Sequence, residues 1–179
     1  MFKTIKIMNT RIAFKHGAMT GLIIITSWFL SYFIWGGLYF SGSELFGYSV
    51  MLLAFSTIFM AIRNERKRSE NNEMTFKRGF SIGAGISLVA AIIYVVGWIW
   101  IYMPNFEPDF VDRYEASQIE VVNLTQSSNE DKMKQIQEIK DFNESYRKPH
   151  VMAAFTFLEI FPVGLLVTII SALILRRKE

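Results

Sequence analysis

The chain has 179 residues, 51% of them hydrophobic and 15% aromatic, with a formal charge of +3 and no cysteine. With a mean hydropathy of +0.26 and its charges gathered between long apolar blocks, this composition excludes a soluble domain, which would wrap one core in alternating polar faces. The lack of cysteine excludes disulfides and thiolate metal sites, and basic residues placed at span ends argue for membrane topology rather than nucleic acid.

Lys3, Lys6, Arg11 and Lys15 precede an apolar run over about 17–40. This run is longer than the roughly 7 to 15 apolar residues of a signal peptide, and nothing resembling A-x-A follows, so it reads as a retained first span. Ala13, Gly17 and Gly21 form a small-residue ridge on it, and Tyr32, Trp35 and Tyr39 mark its far end. Ser41-Gly42-Ser43-Glu44 gives a turn with Ser43 as N-cap, after which a second span covers about 45–62. Arg63, Arg66, Lys67, Arg68, Lys77 and Arg78 then read as a connector that stops transfer; binding of anionic headgroups is the less favoured reading.

The third span is expected over about 79–103, ended by Pro104 and Pro108. Gly79, Gly83, Ser87 and Ala91 make a small-residue row on one face, expected to meet the ridge of the first span. Tyr94, Trp98, Trp100 and Tyr102, level with Tyr48, read as an aromatic belt where headgroups meet hydrocarbon. Residues 104–149 carry six basic and ten acidic residues. Pro108 with Asp109 and Asp112 starts one helix, Leu124 to Asn129 turns, and Ser127-Ser128-Asn129-Glu130 fits a capping box. Met133, Ile136, Ile139, Phe142 and Tyr146 then give a second amphipathic helix. A helical hairpin is expected here, buried on itself or on the membrane.

The fourth span runs over about 151–175 and ends in Arg176, Arg177 and Lys178; at 1.5 Å per residue it covers roughly 37 Å, enough for a hydrocarbon core of about 30 Å. Basic flanks put both termini in the cytoplasm and the hairpin outside. Glu159 is the only charge inside this span, with Pro162 one turn further on. A charge at that depth costs about 2.5 to 3.5 kcal/mol, so Glu159 is expected to face the bundle as a neutral carboxyl that donates to a Ser, a Thr or a carbonyl freed by Pro162. Hydroxyls available to it are Thr26, Ser27, Ser31, Ser56, Thr57, Ser87, Thr156 and Thr168. Structural glue is the favoured role and a proton or cation site the sharper one.

His16 and His150 fall at opposite ends of the bundle, and no H-E-x-x-H, C-x-x-C or G-x-S-x-G is present; Gly79, Gly83 and Gly85 lack the strand a phosphate loop needs. No catalytic, cofactor or metal residue is assigned. The triplets at Asn123 and Asn143 match a glycosylation pattern too short to weigh.

Phe157-Leu158-Glu159-Ile160-Phe161-Pro162-Val163-Gly164-Leu165, with Ile170-Ser171-Ala172, resembles a bacterial membrane family, domain of unknown function 4199, common in Bacteroidetes. The likeness extends to Gly47-Tyr48, Met51, Ala54, Phe55 and Phe59, to Phe76 and Gly79-Phe80, to Tyr94 and Trp98, and to Phe110 and Tyr114. It implies an inner-membrane protein with four spans and no established activity. The reading is therefore an all-α, four-helix membrane bundle forming one domain over 1–179. It is structural or interacting in role and not enzymatic, with the lipid bilayer and an envelope protein or a second copy as partners. The alternative is a small transporter or membrane enzyme built on Glu159.

Overall fold

The computed structural model describes residues 10–36 and 43–177. The expected first-span end at Tyr39 and Phe40, the Ser41-Gly42 turn, Lys3, Lys6 and Lys178 lie outside them. Helix α1 spans Thr10–Trp35, α2 Ser43–Arg68, α3 Phe76–Gly97 and α7 Pro149–Leu175. Each of these, α3 together with its continuation to Phe106, is long and apolar enough to cross a membrane, and the chain is an all-α four-helix membrane bundle. A π-helical turn over Trp98–Tyr102 leads from α3 into α4, Met103–Phe106, and α5, Phe110–Leu124, and α6, Asn129–Tyr146, follow before α7.

Several boundaries differ from the sequence reading: the first helix, expected over about 17–40, is already helical at Thr10 and closes at Trp35, where Gly36 takes a left-handed φ of 77°. The second helix does not stop at residue 62 but continues to Arg68, because Arg63 to Arg68 end the apolar run without ending helix propensity. The connector shrinks to a turn in which Asn71 and Asn72 take φ values of 59° and 57°, a left-handed conformation that asparagine tolerates. Thr75 then caps α3 by accepting from the Arg78 N–H at 3.3 Å. Pro104 does not end the third helix. The Met103 N–H bonds to the Trp98 carbonyl across the π turn, which puts Pro104 in the first turn of α4, where its missing N–H is not needed.

Helix α3 is central, and its two faces carry different partners. A Cβ built on Gly17 would lie 2.8 Å from the Ile86 carbonyl, and one on Gly21 2.8 Å from the Ala90 carbonyl, so α1 rests on α3 backbone to backbone. The row of Gly79, Gly83 and Ser87 does not meet α1 as expected. It meets α7, which carries a matching row: a Cβ on Gly79 would be 3.3 Å from Ala172 Cβ, one on Gly83 2.5 Å from Thr168 Cγ2, and one on Gly164 2.6 Å from Ser87 Oγ. Each step of four along α3 is a step of four backwards along α7, an antiparallel register whose next pair is Ala91 with Ile160, both fully buried. Gly17 and Gly21 instead advance with Ile86 and Ala90, which makes α1 parallel to α3. Thr20 hydrogen-bonds Thr57 at 2.6 Å, and Trp28 lies against Gly47, so α2 is antiparallel to α1. The four spans thus alternate in direction.

At the end where α1 begins, Met74 and Arg177 exchange backbone hydrogen bonds at 3.2 and 2.9 Å, and the Arg66 guanidinium donates to the Leu175 carbonyl at 3.4 Å. These bonds pin the close of α7 to the α2–α3 turn.

Candidate functional site: an aromatic cleft around Glu159

The site begins with the C-terminal turns of the third span. Tyr94, Trp98, Tyr102 and Phe106 recur every four residues and stack in a ladder with ring centroids 5.7, 5.1 and 5.6 Å apart. The π turn reverses the drift that four-residue steps have on an α-helix, so the four rings keep one direction. This corrects the belt reading. Tyr94, Trp98 and Tyr102 are buried, whereas Trp100, off the row, is 62% exposed, as a headgroup anchor should be.

Against this ladder the other helices build a cavity of about 660 Å³. The Trp28 ring of α1 meets Trp98 edge-on at 6.0 Å, and its indole faces the Tyr94 hydroxyl. Helix α2 supplies Gly47, Tyr48 and Met51; a Cβ on Gly47 would lie 3.1 Å from the Trp28 ring, so a small residue there preserves the wall. Helix α7 supplies Phe155, Thr156 and Glu159 on the opposite side.

The roof is the helix pair α5 and α6. Phe110, Tyr114 and Ser117 come from α5, and Phe142 and Tyr146 from α6. Phe110 stands edge-on to Trp98 at 6.0 Å, and Phe142 and Tyr146 stand edge-on to Phe155 at 5.3 and 5.9 Å, locking the roof to α3 and α7. The pair is held together by Asn143 donating to Gln118 at 3.1 Å, by Lys132 donating to the Asn123 carbonyl at 2.8 Å and by an ion pair of Arg147 with Asp112. Ser128 caps α6 and accepts from Asp131 N–H at 3.1 Å; the residue facing the cap is Asp131, not Glu130. Glu107, 1% exposed, pairs with Arg113 and fixes the corner between α4 and α5. The sequence reading missed this buried acid; its one signal was an acidic residue between Pro104 and Pro108 with an arginine a few positions on.

Glu159 lines this cleft from α7, but at its rim, where the residue is exposed and not buried within the bundle as expected. Its carboxyl lies near the hydroxyls of Tyr94 and Tyr146, and Tyr146 adjoins the Thr156 hydroxyl. Burial pushes the Tyr146 hydroxyl above its usual value of 10.0; the Thr156 hydroxyl offsets part of that shift and the Glu159 carboxyl adds to it. Pro162 lies exposed beyond Glu159, and α7 runs on through it as helix. Of the hydroxyls considered as company for Glu159, only Thr156 lines the cleft. Thr57 bonds Thr20, Ser87 approaches Thr168 at 3.3 Å, and Ser27, Ser31 and Ser56 donate to carbonyls of their own helices.

Gly47, Tyr48, Met51, Tyr94, Trp98, Phe110, Tyr114 and Glu159, which carry the family likeness from separate stretches of chain, all line this one cleft. No curated protein and no solved structure matches the chain. Residues 15–177 match the family described as Protein of unknown function (DUF4199), and the chain belongs to that family.

Proposed function

We propose that this chain is a non-enzymatic protein of the bacterial inner membrane and cell envelope, with both termini in the cytoplasm, that binds an ammonium-bearing amphiphile in the cleft beneath α5 and α6. The observation carrying this reading is the composition of the lining among the described residues: one carboxyl, Glu159, set among aromatic rings from six helices and the π turn. An ammonium group against aromatic faces gains about 0.5 to 2 kcal/mol, more as it is desolvated, and a lone carboxylate supplies the counter-charge. The remaining polar groups, tyrosine hydroxyls with Ser117 and Thr156, suit hydrogen bonds to a held ligand. Basic flanks on the α1 and α7 ends support the cytoplasmic placement of the termini. Val121, Leu124 and Met133, 64%, 78% and 73% exposed near the α5–α6 turn, support contact with an envelope partner or a second copy. Transport is less well supported, because the buried hydroxyls join helices to one another instead of leading away from Glu159.

The test uses Trp28 and Trp98 as reporters. Titrating the full chain in a neutral detergent with hexyltrimethylammonium should change tryptophan fluorescence saturably, while hexyl sulfate should not. An equal response to both probes, or to neither, would remove the binding reading.

A further inference from the structure

At the opposite end of the bundle α1 and α2 enclose a second cavity, of about 540 Å³. Arg11, Lys15 and His16 reach it from one face of α1, and Asn64, Glu65 and Arg68 from one face of α2. Its single acid among the described residues is already engaged: Glu65, 8% exposed, pairs with Arg68 at 3.5 Å and with Arg78 at 3.4 Å. Among the described residues, neither Arg11 nor Lys15 has an ion-pair partner. His16 Nδ1 is buried with no hydrogen-bond partner among the described residues, a polar atom that a ligand would satisfy. Phe14, 65% exposed, and Met60, 56% exposed, adjoin these residues on α1 and α2 and offer apolar surface for an acyl chain.

We infer that this groove is a phosphate-binding site, taking the phosphate ester of an anionic phospholipid headgroup or of a free phosphate compound. Arg11 and Lys15 supply the charge, Asn64 a neutral donor and His16 a ring nitrogen, while Glu65 holds Arg68 and Arg78 in place beneath them. This inference does not depend on the cleft around Glu159.

The experiment is native mass spectrometry of the full chain in a neutral detergent, titrated separately with phosphatidylglycerol, phosphatidylcholine and inorganic phosphate. Phosphatidylglycerol should be retained in preference to phosphatidylcholine. The double variant Arg11→Gln with Lys15→Gln should weaken that retention about 30-fold, two cations at about 1 kcal/mol each. Lys134→Gln with Lys140→Gln, on α6, should leave it unchanged. If only inorganic phosphate bound, and the Arg11 and Lys15 variant lost it, the site would stand with a free phosphate compound as its ligand. Retention equal in the wild type and the double variant, or no binding of either anionic probe, would overturn the inference.

Discussion

Replacing Gly83 with alanine tests the packing of α3 on α7 at its tightest point. The new Cβ would lie 2.5 Å from Thr168 Cγ2, 2.6 Å from its Oγ1 and 2.9 Å from its Cβ, where carbon atoms prefer about 3.5 to 4.0 Å. Thr168 is short and joined to its helix one bond away, so it cannot swing clear; the helices must part by on the order of 1 Å. Such overpacking costs about 1 to 3 kcal/mol. Separation also removes the Ser87–Thr168 contact at 3.3 Å, worth about 0.5 to 1.5 kcal/mol. Against these, glycine to alanine in a helix returns about 1 kcal/mol of propensity. The net loss should be about 1 to 3 kcal/mol, and larger for Gly83→Leu. Reversible unfolding in mixed micelles measures it, with Leu88→Ala, at a 42% exposed position, as the mild comparison. Thr168→Ala removes the two nearest atoms, so Gly83→Ala should be better tolerated in that background, with a coupling of about 1 kcal/mol or more. Gly17→Ala, on the α1 face, should add independently. If Gly83→Ala were as mild as Leu88→Ala, or showed no coupling to Thr168, the register between α3 and α7 would be wrong.

Three further predictions concern threading, the inter-helix hydroxyls and pH. Ser128→Cys should react with a membrane-impermeant thiol reagent added outside the cell, and Lys67→Cys only after permeabilisation; the reverse pattern would invert the topology. Thr57→Val and Thr20→Val should each cost about 1 kcal/mol of unfolding free energy, and the double variant little more than either, since both remove one buried 2.6 Å hydrogen bond. Because burial raises the Tyr146 hydroxyl above 10.0, the unfolded chain loses that proton first as the solution becomes alkaline. Its contribution to stability is therefore complete below about pH 10 and declines as pH rises through the folded value, whereas Tyr146→Phe should flatten that part of the pH profile.

The membrane spans were legible because an apolar run long enough to cross a bilayer has few alternative uses, and Glu159 stood out because a charge inside such a run is costly. Helix ends were less so: Arg63 to Arg68 leave the hydrocarbon yet continue the helix, and a π turn carries the backbone past Pro104. The Gly79 row announced a close helix contact without naming the partner, because a small-residue row fits any helix that brings its own. Gly164, Thr168 and Ala172 were that match, spaced by four along a span whose charged residue drew the attention. The aromatic residues of the third span fitted an interfacial belt by composition, and only their four-residue spacing, read across a π turn, turned Tyr94, Trp98 and Tyr102 inward. The cleft itself joins segments from Trp28 to Glu159, and no local pattern encodes that convergence.

Selection of a positive charge by Glu159 and the surrounding rings is the core of the proposed function. Its most direct measurement compares choline with its neutral isostere 3,3-dimethylbutan-1-ol, by tryptophan fluorescence, in the wild type and in Glu159→Gln. The two probes have nearly the same shape, so their affinity ratio isolates the charge. A carboxylate with aromatic faces should favour choline by on the order of tenfold or more, since each 1.4 kcal/mol is tenfold. In Glu159→Gln, with the same thermal transition as the wild type, that preference should fall several-fold. A preference left unchanged by Glu159→Gln, or absent from the wild type, would contradict the account.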